Sequence, residues 1–253
     1  MASLFDAVND AMDEKFFLIK HIIYALPIFF CASLYINNNI GLFYFFAFPI
    51  IFIMFGLLSC GIENVRQNKR EILTINPIKL LYTVFSLAVA IVPLAAVMYF
   101  VGYCITAFVK LPFDLPYLPV VFKSIVWILV GSIVLTSFLS FSKSSSIKNA
   151  YNFPVIFESC VDVFINILFL IPQLLILNGI IVGAVWYLFF YFKLPLTNPI
   201  FIFYCSFVSV FNISVLADYF AQASYELIRG EDEEYRDNYY IKGTGSTFTP
   251  RKK

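Results

Sequence analysis

The chain alternates long apolar runs with short polar breaks, and nearly everything else in it follows from the length of those runs. A hydrocarbon core about 30 Å thick demands about 20 apolar residues of helix. Residues 17–36, 40–60, 78–109, 120–141 and 200–216 each come close to that length or exceed it, and a run at 151–192 goes well beyond it. Inside a bilayer the backbone must satisfy its own hydrogen bonds, so each run is predicted to be helical. The expected fold is all-α: a polytopic membrane bundle of six transmembrane helices in three hairpins, with short interfacial helices. Composition agrees, since 13% of residues are charged where a soluble domain carries about 25%.

The polar break GIENVRQNKREILTINP, residues 61–77, orients the rest. It places Arg66, Lys69 and Arg70 between two spans, and basic residues so close to span ends stay on the cytoplasmic side. The run at 151–192 would hold one long span or two short ones divided at Asn178 and Gly179. With six spans and both termini cytoplasmic, fourteen of the 17 Lys and Arg lie inside, leaving Lys110, Lys123 and Lys193 outside. A seventh span would split them nine to eight and erase the asymmetry. Six spans in the cytoplasmic (plasma or inner) membrane is therefore the expectation. The acidic start, without a basic n-region, predicts an uncleaved first span.

An echo runs along the chain. Lys110-Leu-Pro-Phe-Asp-Leu-Pro116 is answered by Lys193-Leu-Pro-Leu-Thr-Asn-Pro199, each after a run with a central proline, Pro93 and Pro172; Pro27 holds the same place in the first run. These three prolines are expected to break their helices and turn the kinked faces into the bundle, because a carbonyl freed in hydrocarbon needs a donor. Residues 1–15 set Leu4, Phe5, Val8 and Met12 at helical spacing, an amphipathic segment suited to a membrane surface. Residues 16–229 form the membrane domain, and 230–253 a charged tail with too few apolar residues to fold alone.

Candidate chemistry is sparse. Glu158, Asp162, Asn166 and Gln173 share one helical stripe. Two readings fit them: a cavity lining at membrane depth, or an interfacial helix whose acids face the cytoplasm. Asp218 and Gln222, one turn apart at the inner end of the last span, have the same two readings. His21, the one histidine, stands beside Lys20 without ligands at metal spacing and is read as interfacial. Five lone cysteines read as packing residues, with neither a disulfide set nor a metal site. Gly179 and Gly183 form a weak helix-contact pair. Gly243-Thr-Gly245 lacks the strand and helix of a phosphate loop, and Asn212-Ile-Ser214 lies inside a span, where it cannot be glycosylated. No catalytic or cofactor-binding residue is expected.

The order of an apolar span, Gly61-Ile-Glu-Asn-Val-Arg66, a basic turn, Asn76-Pro77 and a span centred on Pro93, followed later by Lys148-Asn-Ala-Tyr-Asn-Phe-Pro-Val-Ile-Phe157, resembles a family of bacterial and archaeal polytopic proteins with a domain of unknown function. That family is similar in layout to the membrane domain of some glycerophosphodiester phosphodiesterases. The resemblance covers most of residues 13–229 and implies a helical membrane fold with no catalytic residue to carry over. A net charge of +1 gives no field toward nucleic acid. The expected partners are membrane lipids and a membrane protein or a second copy of the chain, in an organising role; a carrier of small or amphipathic solutes is the alternative.

Overall fold

The structure is a computed structural model that describes residues 3–67, 69, 71–109 and 117–228. Its elements are α1 (Leu4–Met12), α2 (Phe17–Ile36), α3 (Ile40–Arg66), α4 (Pro77–Phe108), α5 (Leu118–Ser142), α6 (Ile147–Ala150), α7 (Phe153–Tyr191) and α8 (Pro199–Leu227), with no strand among the described residues. Six of them, all but α1 and α6, are long and apolar enough to cross a membrane. The chain is an all-α, membrane-embedded bundle. The long apolar run is a single helix of 39 residues, ~58 Å at 1.5 Å per residue, so Asn178 and Gly179 do not divide it. Arg70, the 110–116 loop and the 230–253 tail lie outside the described residues.

Local chemistry explains where helices begin. Asn76 and Asn198 each precede a proline, whose missing donor costs nothing at a helix start. Asn76 Oδ1 accepts from the amides of Ile78 at 3.0 Å and Lys79 at 3.2 Å, and Asn198 Oδ1 from that of Ile200 at 2.9 Å. These caps satisfy amides that have no partner within the helix. Asn38 takes a left-handed φ of 57° in the α2–α3 turn, a conformation Asn tolerates better than most residues.

The three hairpins, α2–α3, α4–α5 and α7–α8, each pack together, yet they are not equal units. Helix α8 is central, touching α1, α2, α3, α5 and α7 and lying most closely along α2 and α3. Gly61 sets the α3–α8 approach, since a Cβ there would stand 2.7 Å from the Ala217 methyl. Gly56 does the same for α3–α4, where a Cβ would run into Val84. The core gathers at the end of the bundle where α3, α5 and α8 finish and α2, α4 and α7 begin, with Ile62, Ile72, Leu139, Phe141, Ala150 and Ala217 fully buried. We term this the polar end, because buried polar groups collect there too. At the far end Phe45, Phe100, Phe108, Tyr117 and Phe192 are exposed.

One expectation needs correction. Helices α2, α4 and α7 run unbroken through Pro27, Pro93 and Pro172, and α3 carries a fourth proline, Pro49, which removes proline as the mark of each hairpin's first span. Pro93 and Pro172 are exposed, as are the residues four positions earlier, Val89 and Leu168, and likewise Ile23 before Pro27. A proline ring disturbs the carbonyl four residues before it, on its own face. The disturbed faces of α4 and α7 therefore turn outward, where no neighbouring helix has to close against them, while Pro27 in α2 is half-buried. The N-terminal segment forms a helix as expected; α1 docks on α8 with Ala7 and Ala11 buried, while Phe5 and Met12 stay exposed. Its Leu4 and Val8 pack against the core.

Candidate functional site

The polar end is built around the junction of α1 and α2. Glu14 Oε1 accepts from Lys20 Nζ at 2.7 Å and from the Leu73 amide, also at 2.7 Å, and both charged side chains are wholly shielded. The pair ties the N-terminal segment to the α3–α4 connection, where Ile72 and Leu73 are buried and Tyr24 Oη donates to the Thr74 carbonyl. Burial pushes the Glu14 carboxyl above the ordinary carboxylate range, and the Lys20 hydrogen bond and charge oppose that shift without cancelling it.

His21, expected at the interface, is instead completely buried. Its Nδ1 lies 2.7 Å from the Phe17 carbonyl, which can only accept, so Nδ1 carries the proton. In the neutral ring Nε2 then accepts from Ser214 Oγ at 3.0 Å. The rings of Phe17, Phe207 and Phe211 surround the imidazole. A serine beside a histidine has the outline of an activated nucleophile. Here both side chains have no exposed surface, so no substrate reaches the hydroxyl in this conformation.

The network continues across the helix ends. Arg66, expected as a loop charge, is 2% exposed and donates from Nη1 to Ser224 Oγ at 2.6 Å, joining α3 to α8. Lys79 Nζ bonds Asn64 Oδ1 at 3.0 Å and pairs with Glu63 at 3.2 Å, and Ser145 Oγ donates to the same Glu63 carboxylate at 2.9 Å. Ser142 Oγ reaches Ser59 Oγ, and Ser137 and Ser140 hold the carbonyls of Ala150 and Asn149. Lys69 remains exposed. The arrangement fastens loops to helix ends, and among the described residues no cluster of three His, Cys, Asp or Glu could hold a metal. All five cysteines are free.

The expected stripe on α7 is only partly drawn together. Asn166 Nδ2 donates to Tyr219 Oη of α8 at 2.9 Å, leaving its buried Oδ1 without a partner. Asp162 is half-buried, while Glu158 and Gln173 are exposed. Asp218 is buried and accepts from Gln222 at 2.5 Å. Nothing lies within 4 Å of a Cβ at Gly179 or Gly183, so that pair brings no helix close. Further along, Asn178 and Asn212 exchange amide hydrogen bonds of 3.3 and 2.7 Å between α7 and α8.

Sequence reasoning missed Glu14, Lys20, Ser214 and Ser224. An acid and a lysine bracketing a span start were the one available signal; the serines carried none. A separate feature lies deeper in the bundle: an apolar groove of about 480 Å³ between α3, α4 and α5, lined by Phe52, Phe55, Ile91, Tyr99, Val134 and Phe138 among others. None of the four stripe residues lines it. The chain matches no protein-family model, no curated protein and no solved structure.

Proposed function

We propose that this integral membrane protein has a non-enzymatic role, organising lipids or a membrane partner from a rigid polar end held on the cytoplasmic side. The observation that carries the reading is the use of the buried polar groups. Glu14, Lys20, His21, Arg66, Ser214 and Ser224 bond one another or the backbone, and none of them lines the apolar groove. The excess length of α7, ~58 Å against a core of about 30 Å, supports placing Glu158 and Asp162 near water instead of in the membrane. The carrier alternative draws on broken helices and a polar stripe; the unbroken runs of α2, α4 and α7 and the exposed Pro93 and Pro172 weigh toward the organising role.

Two measurements test it. Photocrosslinkers at Phe5 and Lys69, on the exposed surface of the polar end, should give discrete adducts in native membranes, whereas one at Leu175 on α7 should give lipid adducts only. Recovery of a lone chain from every position counts against an organising role, and substrate flux in liposomes would favour a carrier. For orientation, a cysteine at Lys123 should label from outside intact cells and one at Lys69 should not, in a background lacking the five native cysteines. The reverse pattern inverts the topology.

A further inference from the structure

The apolar groove is the feature that the polar network does not absorb. Its walls are residues 51–58 of α3, 87–99 of α4 and 130–138 of α5, and the Tyr99 hydroxyl is its one polar side-chain group. A volume of about 480 Å³ falls within the range of small-ligand sites, about 300–1,000 Å³. Along α4 the groove runs ~18 Å at 1.5 Å per residue, close to the ~15 Å that is half of a bilayer's hydrocarbon thickness. Contacts close both ends. Tyr99 and Trp127 pair at 5.2 Å where Gly102 lets α4 and α5 meet, and Phe55 and Phe138 pair at 6.2 Å next to the Gly56–Val84 contact.

Between those closures the space is held open. Gly131 has no atom within 4 Å of where its Cβ would stand, so its wall faces the groove unfilled. Leu58, Leu87 and Phe138 form a buried floor, whereas Ile51, Phe55 and Val92 form an exposed rim continuous with the outward surface of the spans at Phe48 and Val89.

We propose that the groove holds one acyl chain of a membrane phospholipid. The inference rests on the reading that the bundle lies in a bilayer and acts through lipids or partners. Water is a poor occupant, because a buried water needs two to four polar groups and Tyr99 supplies one. A charged headgroup would lose its hydration against these walls. An acyl chain entering from the rim instead gains dispersion contacts on three helices, and the continuous apolar rim gives it a route from the surrounding lipid.

Native mass spectrometry of the full chain released from a mild detergent tests the assignment. Gly131→Phe fills the groove without meeting protein atoms at its Cβ, and Gly179→Phe, on an equally open part of α7, is the matched control. The wild type and the Gly179 variant should each retain one phospholipid, with retention at least tenfold lower in Gly131→Phe. Gly131→Leu, a gentler filling, should give the same direction if the larger ring disturbs folding. Equal retention in the Gly131 and Gly179 variants, or none in the wild type, overturns the proposal. So does a detergent-stable dimer that Gly131→Phe dissolves, since a second copy would then fill the groove. A wild type that retains no lipid yet gives discrete crosslinks from Phe5 and Lys69 refutes the groove assignment alone, and one that retains lipid but gives no crosslinks refutes only the wider role.

Discussion

The two ends of this bundle are built on opposite terms. At the polar end, helices are drawn together by a buried ion pair, serine bonds and a glycine contact, and even the α3–α4 connection is buried at Ile72 and Leu73. At the far end, the same helices expose aromatic rings, and the polar contacts between them are amide and hydroxyl bonds such as Asn178–Asn212 and Tyr204 to the Ile181 carbonyl. Lipid is as apolar as the side chains, so burying a phenylalanine against another helix gains little over leaving it in the membrane. Close packing therefore concentrates where helices leave hydrocarbon and have water, loops and charges to contend with.

Breaking one half of a buried pair tests this contrast most severely. Lys20→Met leaves the Glu14 carboxylate buried without its counter-charge, and such a loss costs about 3–5 kcal/mol. Denaturation in detergent should show a large drop for this variant, and Glu14→Gln with Lys20→Met should recover most of it. A single variant no weaker than an exposed-charge substitution would dissolve the distinction between the ends.

The next effect compares two glycines. Gly61→Ala forces a methyl against Ala217 at the polar end and should cost about 1–3 kcal/mol. Gly179→Ala meets nothing and should be neutral or gain up to about 1 kcal/mol of helix propensity. Smaller still, Asn178→Leu and Asn212→Leu should each cost about 0.6 kcal/mol, the average for polar contacts between membrane helices. The double variant should lose less than the two singles combined, because one amide pair is removed in every case.

The weakest effect is a slope with pH. The Glu14 carboxyl is raised in the folded chain, so the folded state binds more protons than the unfolded one between the two values. Stability contributed by that proton is complete below the unfolded value and falls as pH rises through the folded one. Glu14→Gln should flatten this part of a stability profile, read against Lys20 as the facing charge.

The bundle was legible because a span is a property of one run. Residues 153–191 are apolar wherever their neighbours lie, and Asn76-Pro77 caps α4 from two adjacent positions. The charge count also chose one helix over two for that run, and α7 is one helix. The prolines misled, because a missing donor in mid-span suggested broken helices, while the direction each ring faces is decided by which neighbour packs there.

What the sequence determined by itself is the fold class and the six spans. Only the tertiary structure decided which polar residues matter. Glu14 meets Leu73 across 59 residues, Arg66 meets Ser224 across 158 and His21 meets Ser214 across 193. Length and hydropathy act locally and can be read in order along the chain. A buried hydrogen bond needs a donor and an acceptor within about 3 Å, and packing around Gly61 and α8 sets those distances.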